Sequence, residues 1–353
     1  MKNTFGDNIS LTIFGESHGH GIGAVLDGMA PGIPVDETYI KEQLALRRPA
    51  GKISTQRVEL DNFTIESGVY EGKTTGTPIA IVIPNTAQKS GDYKNISTLA
   101  RPSHADYAAF MKYHGYEDRR GGGHFSGRIT AAVVAAGAIC RYALMQKGIY
   151  IGTHLKECAG ICDRSFGDTK KDIKALQSMA FPVLDGDAAE KMQAAILKAR
   201  EELDSVGGIL ETAVLGMPAG VGEPYFDSIE SKLSHAIFSI GGVKGIEFGE
   251  GFGIAKMRGS EANDPFRIEG GRVITTTNHS GGINGGITNG MPIVFRTAVK
   301  PTPSIYKTQQ TIDFEKMENA EITIEGRHDP CIAHRVRSVV DAMTAVVVYD
   351  ALR

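Results

Sequence analysis

The sequence predicts an α+β fold in which two sheets enclose central helices that come from two pseudo-equivalent halves of the chain. A glycine-rich strand segment recurs 214 positions further on, and two strongly apolar helices each follow a similar Gly-Arg motif. Neither a Rossmann fingerprint nor a P-loop is present. Chance matching of glycine-rich turns is the alternative to a true repeat. The features recur in one order, which favours the two-sheet arrangement over a doubly wound parallel sheet.

The first repeated feature is a set of turns followed by a β-branched run, which predicts a hairpin used twice. The aligned residues are Gly68, Gly72, Thr74, Gly76, Pro78 and Ile79 in the first half, and Gly282, Gly286, Thr288, Gly290, Pro292 and Ile293 in the second. Upstream, the similar turns 26–32 and 215–220 each close a predicted strand. Asp36 and Asp227 then predict the N-caps of the following helices, because carboxylates accept from the first free amides.

The second repeated feature is a pair of buried helices. Segments 129–146 and 335–352 are rich in alanine and valine on nearly every face, which predicts burial on all sides. The apolar run around Arg141 is shorter than the 18 to 20 residues, roughly, that span a bilayer, and the arginine interrupts it. We therefore expect a core helix there, and no membrane partner.

The organisation of the chain predicts a single domain over residues 1–353. Pseudo-repeat halves at about 1–150 and 207–353 flank a helical insertion at about 165–206, in which segment 187–203 predicts a polar outer helix. No proline-rich or charge-block linker separates these parts, so independent domains are not expected.

Composition narrows the class of protein. The chain has 353 residues, of which 41% are hydrophobic, and its net charge is −3, which disfavours a globally basic nucleic-acid binder. Its four cysteines form no CxxC pair, and the amino terminus has no secretory pattern. These features predict a reducing, cytoplasmic setting.

Candidate chemistry begins in the loop Gly15-Glu16-Ser17-His18-Gly19-His20-Gly21. Glycines allow a backbone to approach a ligand closely, and imidazole exchanges protons near neutral pH. A polar turn whose histidines cap backbone groups is the alternative. His104 and His328 are likewise flanked by an arginine or a carboxylate. Together with His18 they favour acid–base chemistry on an anion, whereas we treat His20 as structural.

Basic residues beside glycine, proline, serine or threonine indicate the kind of ligand. Guanidinium groups in such loops bind phosphate or carboxylate, and we expect several to converge on one pocket, although scattered surface arginines are the alternative for any single one. The residues are Arg47, Arg48, Lys52, Arg57, Arg101, Arg119, Arg120, Arg128, Lys300, Arg327, Arg335 and Arg337. No HExxH or paired Cys/His spacing predicts a metal site.

Two other classes of function compete with an acid–base enzyme. A phosphate-binding nucleic-acid protein explains the cations but not the histidines, and the chain has no tryptophan and few aromatic residues among its basic ones. A phosphotransferase predicts nucleotide binding and a phosphorylated product, whereas a phosphate-releasing lyase predicts free phosphate without nucleotide.

These motifs together resemble the chorismate synthase family over almost the whole chain. The three family signatures correspond to Gly15-Glu16-Ser17-His18-Gly19, to 121–128 and to Gly326-Arg327-His328-Asp329-Pro330-Cys331. Further family-like motifs are Arg47-Arg48-Pro49, Arg101-Pro102-Ser103-His104-Ala105-Asp106-Tyr107, Asp204-Ser205, Gly207-Gly208, Val243-Lys244-Gly245, Asn278-His279, Gly281-Gly282 and Lys300-Pro301-Thr302.

The resemblance implies a fold and a reaction. The fold is a β-α-β sandwich, a helical layer between two antiparallel sheets with an internal pseudo-two-fold duplication, assembled as a homotetramer. The reaction is the anti-1,4-elimination of phosphate from 5-enolpyruvylshikimate 3-phosphate, giving chorismate. It requires reduced FMN (FMNH2) with no net redox change. NADPH is a possible indirect reductant, and a separate flavin reductase is a possible partner.

The resemblance also implies residue roles. His18 assists the departing phosphate, His104 holds the proton balance at the pyrimidine edge of the flavin, and Ser17 and Asp329 support proton removal near flavin N5. The implied FMN contacts are His124, Phe125, Ser126, Gly241, Gly242, Gly285, Lys300, Pro301, Thr302, Pro303, Ser304 and Arg327. The residues implied to meet the substrate or NADP are Arg47, Arg48, Lys52 and Arg128.

Three departures from the family pattern weaken particular contacts. His124-Phe125 stands where many relatives have Arg-Ser, and Gly241-Gly242 stands where Asn-Ala is frequent, so a cation and a side-chain amide are lost. Lys52 stands where arginine is common, which exchanges a bidentate fork for a point charge.

Overall fold

The computed structural model describes residues 2–49, 51–54, 61–86, 98–324, 326 and 328–353, with only the backbone of Lys52. Its helices are α1 Glu37–Leu46, α2 Asp106–Tyr113, α3 Thr130–Gln146, α4 Thr169–Leu176, α5 Gly186–Glu201, α6 Ile229–Phe238, α7 Gly259–Ala262 and α8 Ala333–Ala351. Its strands are β1 Thr4–Phe5, β2 Ser10–Gly15, β3 Gly21–Asp27, β4 Thr64–Ser67, β5 Val69–Tyr70, β6 Lys73–Thr74, β7 Ile79–Pro84, β8 Tyr150–Cys158, β9 Ile161–Cys162, β10 Gly208–Leu215, β11 Val243–Phe248, β12 Phe266–Glu269, β13 Arg272–Thr275, β14 Ile283–Asn284, β15 Ile287–Thr288, β16 Ile293–Val299, β17 Gln309–Asp313 and β18 Glu318–Ile322.

Two five-stranded sheets form the frame of the molecule. Their strand orders are β1-β2-β3-β7-β4 and β11-β16-β10-β8-β9. Neighbouring strands run antiparallel throughout both sheets. The fold is therefore α+β, as predicted, and the chain does not form a doubly wound parallel sheet.

The two apolar helices lie in the core, as their composition predicts. α3 packs against β3 and β7 of the first sheet, α8 packs against β8 and β10 of the second, and the two helices contact each other. By length and composition the segment Gly127–Gln146 could cross a membrane, but 78% of its apolar window is buried inside the protein. Such burial is typical of a core helix.

The contact between α3 and α8 depends on one residue without a side chain. A Cβ placed on Gly137 of α3 would lie 2.5 Å from the Cβ of Ala342 in α8 and 2.7 Å from its carbonyl oxygen. Both distances are below normal contact, so the helices approach this closely only because position 137 is glycine.

The repeated sequence segments form similar local structures. β5 pairs with β6 just before β7, and β14 pairs with β15 just before β16. The Thr74 hydroxyl donates to the carbonyl of Ala30 at 2.6 Å, and the Thr288 hydroxyl donates to the carbonyl of Pro218 at the same distance. Each aligned threonine thus fixes the turn that closes the preceding long strand.

Helix ends agree with the predicted caps to within a residue or two. The Asp36 carboxylate accepts from two amides at the start of α1, as expected. α6 is capped by Ser228 rather than Asp227, because the serine hydroxyl accepts from the amide of Ser231. The outer helix α5 starts after its cap Asp185, and α4, capped by Asp168, was not predicted as a separate helix.

A fully buried histidine joins strands β8 and β10. Nδ1 of His154 lies 2.8 Å from the Asp163 carboxylate, and Nε2 lies 3.1 Å from the Glu211 carboxylate. Both ring nitrogens therefore donate when the ring is protonated. Burial opposes the charged ring, but the hydrogen bonds to both carboxylates raise the pKa of His154 above 6.5. The hydrogen bonds of His154 in turn lower the pKa of Asp163 and of Glu211, against the effect of burial.

Replacing Gly137 with alanine tests the helix contact. In an ordinary helix interior, Gly→Ala raises the free energy of unfolding by about 1 kcal/mol. Here we expect it to fall by about 2 kcal/mol, because the added methyl group overpacks the α3–α8 contact. Chemical denaturation measures the change. Gly186→Ala is the matched control, since its Cβ meets no atom within 4 Å at the start of α5. Equal stabilisation by both substitutions would contradict the close contact.

The buried histidine predicts a dependence of stability on pH. A raised folded-state pKa stabilises the protein fully below the unfolded value of about 6.5, and this stabilisation is lost as the pH rises through the folded pKa. His154→Gln should lower the free energy of unfolding by about 3 kcal/mol at pH 6, because it leaves two buried carboxylates without their cation. In this variant, the free energy of unfolding should also fall less than in the wild type as the pH rises.

Urea denaturation between pH 6 and pH 9 gives the slope of the free energy of unfolding against pH for the wild type and each variant. His114→Asn replaces an exposed histidine at a left-handed helix end and should keep the wild-type slope. A wild-type slope in His154→Gln would contradict the role of the buried imidazolium.

Candidate active site

A cavity of about 880 Å3 lies where residues from both halves of the chain meet. Part of its wall is apolar, with Ile129 and Val133 on the α3 side and Val336, Val339 and Met343 on α8. The rest of the lining is rich in histidine, arginine and glycine. The cavity can therefore hold a flat apolar group and an anion side by side.

Ser17 and His18 occupy one side of this cavity and are both buried. The Ser17 hydroxyl donates to the carbonyl of Arg120 at 3.3 Å and lies 3.1 Å from Nδ1 of His18. Since the hydroxyl has one proton, we assign Nδ1 of His18 as the donor to Ser17. Gly121 makes this position possible, because a Cβ on it would lie 1.9 Å from Cε1 of His18.

His104 lies against the next glycine of the same loop. A Cβ on Gly122 would be 3.4 Å from Cε1 of His104. The glycines 121–123 all have positive φ, between +53° and +95°, so they turn the backbone sharply at this point. Two imidazoles from distant segments thus lie against one loop that has no side chains.

Arg101, His104 and Asp106 form a compact charged group. Nδ1 of His104 lies 2.7 Å from Oδ1 of Asp106, and Arg101 donates to both carboxylate oxygens at 2.7 and 2.8 Å. Burial alone would raise the pKa of Asp106, but the hydrogen bonds from Arg101 and His104 hold it well below its usual range. Asp106 is therefore a carboxylate at neutral pH.

A buried carboxylate, Asp61, holds two of the predicted ligand-binding arginines. Arg47 donates to one carboxylate oxygen at 3.1 Å, and Arg128 bonds to the other. Burial lowers the pKa of Arg47 to about 10, against the effect of Asp61, and the positive charges of Arg335 and Arg128 lower it further. Sequence reasoning missed Asp61, because an isolated aspartate carries no motif.

Asp329 and Arg335 form a second ion pair at the cavity. Nε of Arg335 also donates to the carbonyl of Arg47 at 2.8 Å, which ties the start of α8 to the end of α1. His328 lines the cavity beside this pair, and its ring lies 5.6 Å from that of Tyr306. The segment after residue 327 thus brings an imidazole and a carboxylate to the site.

Several donors at the cavity have no acidic partner in the described part of the chain. Lys300 bonds to the carbonyl of Ser103, and burial and the nearby charge of Lys244 lower its pKa. Nε of Arg48 and the hydroxyl of Thr302 are buried, and no group in the described residues accepts from them. Such orphaned groups are costly unless a ligand pairs with them.

Most of the remaining predicted cofactor contacts also line the cavity. These are His124, Phe125, Ser126, Gly241, Gly242, Pro303 and Ser304. Nδ1 of His124 bonds to the carbonyl of Gly15 at 2.8 Å, which fixes the orientation of this imidazole. The fold thus brings these residues to one cavity.

Other predicted residues lie elsewhere. Gly285 is in the turn between β14 and β15, and neither it nor Pro301 is among the residues that line the cavity. Arg327, Arg57 and the side chain of Lys52 lie outside the described residues. His20 is exposed.

Three of the predicted cations do not line the cavity. Arg119 and Arg120 pair with Glu117 and Asp118, outside its lining. Arg337 is buried and donates to the carbonyl of Leu176 at 2.7 Å, so it is a core residue and the prediction of an anion-binding role was wrong. Local sequence context did not distinguish a guanidinium that satisfies helix-end carbonyls from one that meets a ligand. Within the described ranges, no group of three or more histidine, cysteine, aspartate or glutamate residues could hold a metal ion.

The fold and the site define an α+β protein with a large, cation-lined and histidine-bearing cavity between its two halves. A family model described as chorismate synthase matches residues 9–352. The chorismate synthase of Methanococcoides burtonii is 45% identical over 350 residues, which cover 99% of this chain and 95% of that protein. That of Aeropyrum pernix is 44% identical over 352 residues, 99% of this chain and 93% of that protein.

A crystal structure of a chorismate synthase superposes with a TM-score of 0.78 at 30% identity, covering 99% of this chain and 92% of that one. The chain belongs to the chorismate synthase family, which confirms the resemblance inferred from its motifs. Membership makes it an enzyme of the shikimate pathway, and so of aromatic amino-acid biosynthesis, with a small-molecule substrate. The family also implies a flavin cofactor.

Replacing Gly121 with alanine tests the loop that lies against both histidines. The methyl group would overlap the His18 ring, so we expect chorismate formation to fall by at least about 100-fold, as for a displaced catalytic group. Gly148→Ala is the matched control, because Gly148 also has positive φ, +76°, but its Cβ would meet no atom within 4 Å. It should cost about 1 kcal/mol of stability and keep the rate. Equal rates in the two variants would contradict the role of the loop.

Proposed function

We propose that the enzyme catalyses the anti-1,4-elimination of phosphate from 5-enolpyruvylshikimate 3-phosphate, giving chorismate, and that it requires reduced FMN with no net redox change. It would thus be a carbon–oxygen lyase acting on a phosphate ester. The observation that carries this proposal is the placement of His18 and His104 against one glycine loop, in a cavity lined by cations.

The charges around the cavity suit such a substrate, which has one phosphate and two carboxylates. The cationic side chains of the lining include Arg47, Arg48, Arg101, Arg128, Lys300 and Arg335. The lining carboxylates are Asp61 and Asp329, with Asp106 directly behind His104. Because the cations outnumber the carboxylates, an anionic ligand would relieve their mutual repulsion.

The same cavity fits a flavin phosphate beside the substrate. Its volume of about 880 Å3 is near the upper end of ordinary ligand sites. The apolar stretch formed by Ile129, Val133 and Val336 suits a flat ring system, and the orphaned donors of Arg48 and Thr302 suit anionic oxygens. We propose that 124–126, 241–242, Lys300, 302–304 and Arg327 hold FMN. The roles of Gly285 and Pro301 stay predictions.

Reduced FMN would supply electron density to the substrate as the carbon–oxygen bond breaks. We assign His18 the proton that neutralises the departing phosphate, delivered from Nε2 because Nδ1 bonds to Ser17. His104 would hold the proton balance at the pyrimidine edge of the flavin. Ser17 and Asp329, the latter oriented by Arg335, would support proton removal near flavin N5. Arg47, Arg48, Lys52 and Arg128 would meet the substrate or NADP.

We further propose that the chain is one domain built as a β-α-β sandwich by internal duplication, with a helical insertion at about 165–206. The strand orders β2-β3-β7-β4 and β8-β10-β16-β11 correspond, and in each half the β-hairpin precedes the corresponding long strand. α1 packs on α3 as α6 packs on α8. These correspondences support two equivalent halves, each contributing one sheet and one core helix.

We also propose that the chain assembles as a homotetramer in the cytoplasm. Ile268 and Val273 face each other across β12 and β13 and are 77% and 61% exposed, and Phe266 on the same strand is 67% exposed. Exposed apolar groups paired in this way suit a contact between copies of the chain. All four cysteines are free thiols, which suits a reducing compartment. No nucleic-acid or membrane partner is proposed.

The reaction is tested by an anaerobic assay with chemically reduced FMN and 5-enolpyruvylshikimate 3-phosphate. We expect chorismate and phosphate in equal amounts without any nucleotide. A second arm with NADPH and oxidised FMN shows whether the enzyme reduces its own flavin or depends on a separate reductase. A nucleotide requirement, or no product in the first arm, would overturn the proposal.

Two neighbouring histidines provide a matched test of the acid. His18→Ala should lower kcat for chorismate formation by about 100- to 10,000-fold, the usual contribution of a positioned proton donor. His20→Ala, two residues away and outside the cavity lining, should leave kcat within about twofold of the wild type. If both variants keep the wild-type rate, His18 is not the acid.

A further inference from the structure

We propose that Asp106 is a positioning residue for the reaction, which fixes the tautomer of His104 and stabilises its protonated form. The inference rests on the proposed function, in which His104 exchanges a proton in the cavity. It adds a carboxylate that the family resemblance does not assign to any role.

The geometry supports a fixed tautomer. Oδ1 of Asp106 lies 2.7 Å from Nδ1 of His104, while Arg101 donates to the same carboxylate through Nε, Nη2 and its backbone amide. Nη2 of Arg101 also lies 3.1 Å from Nδ1 of His104, but it donates to Oδ1 of Asp106 at the shorter distance of 2.7 Å. An ionised carboxylate only accepts, so the 2.7 Å contact between Nδ1 and Oδ1 assigns the proton to Nδ1 of His104. In the neutral ring Nε2 is then the unprotonated nitrogen, and the proton exchanged with a ligand is the one at Nε2.

Charged groups approach His104 from more than one element of the fold. From its own segment His104 faces Arg101 and Asp106, and from the end of β16 Lys300 bonds to the adjacent carbonyl of Ser103. The loop at 121–123 contributes no side-chain charge, although His18 packs on it. Arg101 and His104 share the Asp106 carboxylate, so an amide at position 106 would leave a guanidinium without its counter-charge beside the imidazole.

A purely structural role for Asp106 makes a different prediction. The residue begins α2 and holds Arg101, so its loss could simply loosen this turn. Structural loosening would raise KM and lower stability without changing which pH favours the reaction. A positioning role instead changes kcat and the pH dependence, because both depend on the protonated form of His104.

The test compares kcat, KM and pH profiles of Asp106→Asn and Asp106→Glu in the anaerobic assay with reduced FMN. We expect Asp106→Asn to lower kcat by about 10- to 100-fold, with KM changed by less than about threefold. The alkaline limb of its kcat profile should move down by about one pH unit, because the amide no longer favours the imidazolium. Asp106→Glu should restore the position of this limb.

Asp172→Asn is the matched control, since Asp172 also accepts an arginine fork and a backbone amide, but outside the cavity lining. It should leave the pH profile unchanged. If His104→Ala lowers kcat while Asp106→Asn keeps the wild-type kcat and profile, the positioning role is wrong and the proposed function stands. If His104→Ala itself keeps full activity, the role of His104 in the proposed function fails first. Should Asp106→Asn not fold, Asp106→Ser takes its place, because serine also lacks the charge and suits the start of a helix. A limb at the wild-type position in Asp106→Ser, with KM alone raised, would favour the structural role and overturn the inference.

Discussion

The close approach of α3 and α8 is the constraint on which the site depends. Each helix packs on its own sheet, so their separation sets the separation of the two halves of the molecule. Gly137 permits backbone contact with Ala342 at this point. The cavity then lies beside these helices, where Ile129 and Val133 from one half meet Val336 and Val339 from the other. A ligand bound there necessarily touches both halves.

Carboxylates inside the protein control how much positive charge the cavity presents. Asp61 holds Arg47 and Arg128, Asp106 holds Arg101, and Asp329 holds Arg335. Without these partners, so many cations in one place would repel one another and destabilise the fold. These carboxylates also hold each guanidinium in one orientation before a ligand binds. Less side-chain entropy is then lost on binding. The paired charges therefore serve both stability and recognition.

Much of the fold could be predicted from the sequence, because its signals are local and repeated. The glycines and threonines of the two hairpins specify turns by positive φ and by hydrogen bonds to nearby carbonyls. The two core helices were predicted because alanine and valine occupy nearly every face of each. α4 was not predicted as a separate helix, since a helix of eight residues carries too little periodic pattern to stand out from its surroundings.

The site was only partly predictable, for a physical reason. His18, His104 and His328 stand in motifs whose residue types indicate proton chemistry, and all three line the cavity. Asp61 stands alone in the sequence, and its importance comes entirely from the two arginines that the fold brings to it. Arg337 stands in a similar context to the arginines that line the cavity, yet it donates to buried carbonyl groups. Partners distant in the chain determine what each charged group does.

The most direct test of the central claim is a crystal structure of the enzyme with FMN and 5-enolpyruvylshikimate 3-phosphate. We expect both molecules in the cavity between the halves, with His18 and His104 within hydrogen-bond distance of the ligands and the flavin ring against the apolar wall of α3 and α8. Ligands bound elsewhere, or a cavity left empty while the enzyme turns over in the crystal, would contradict it.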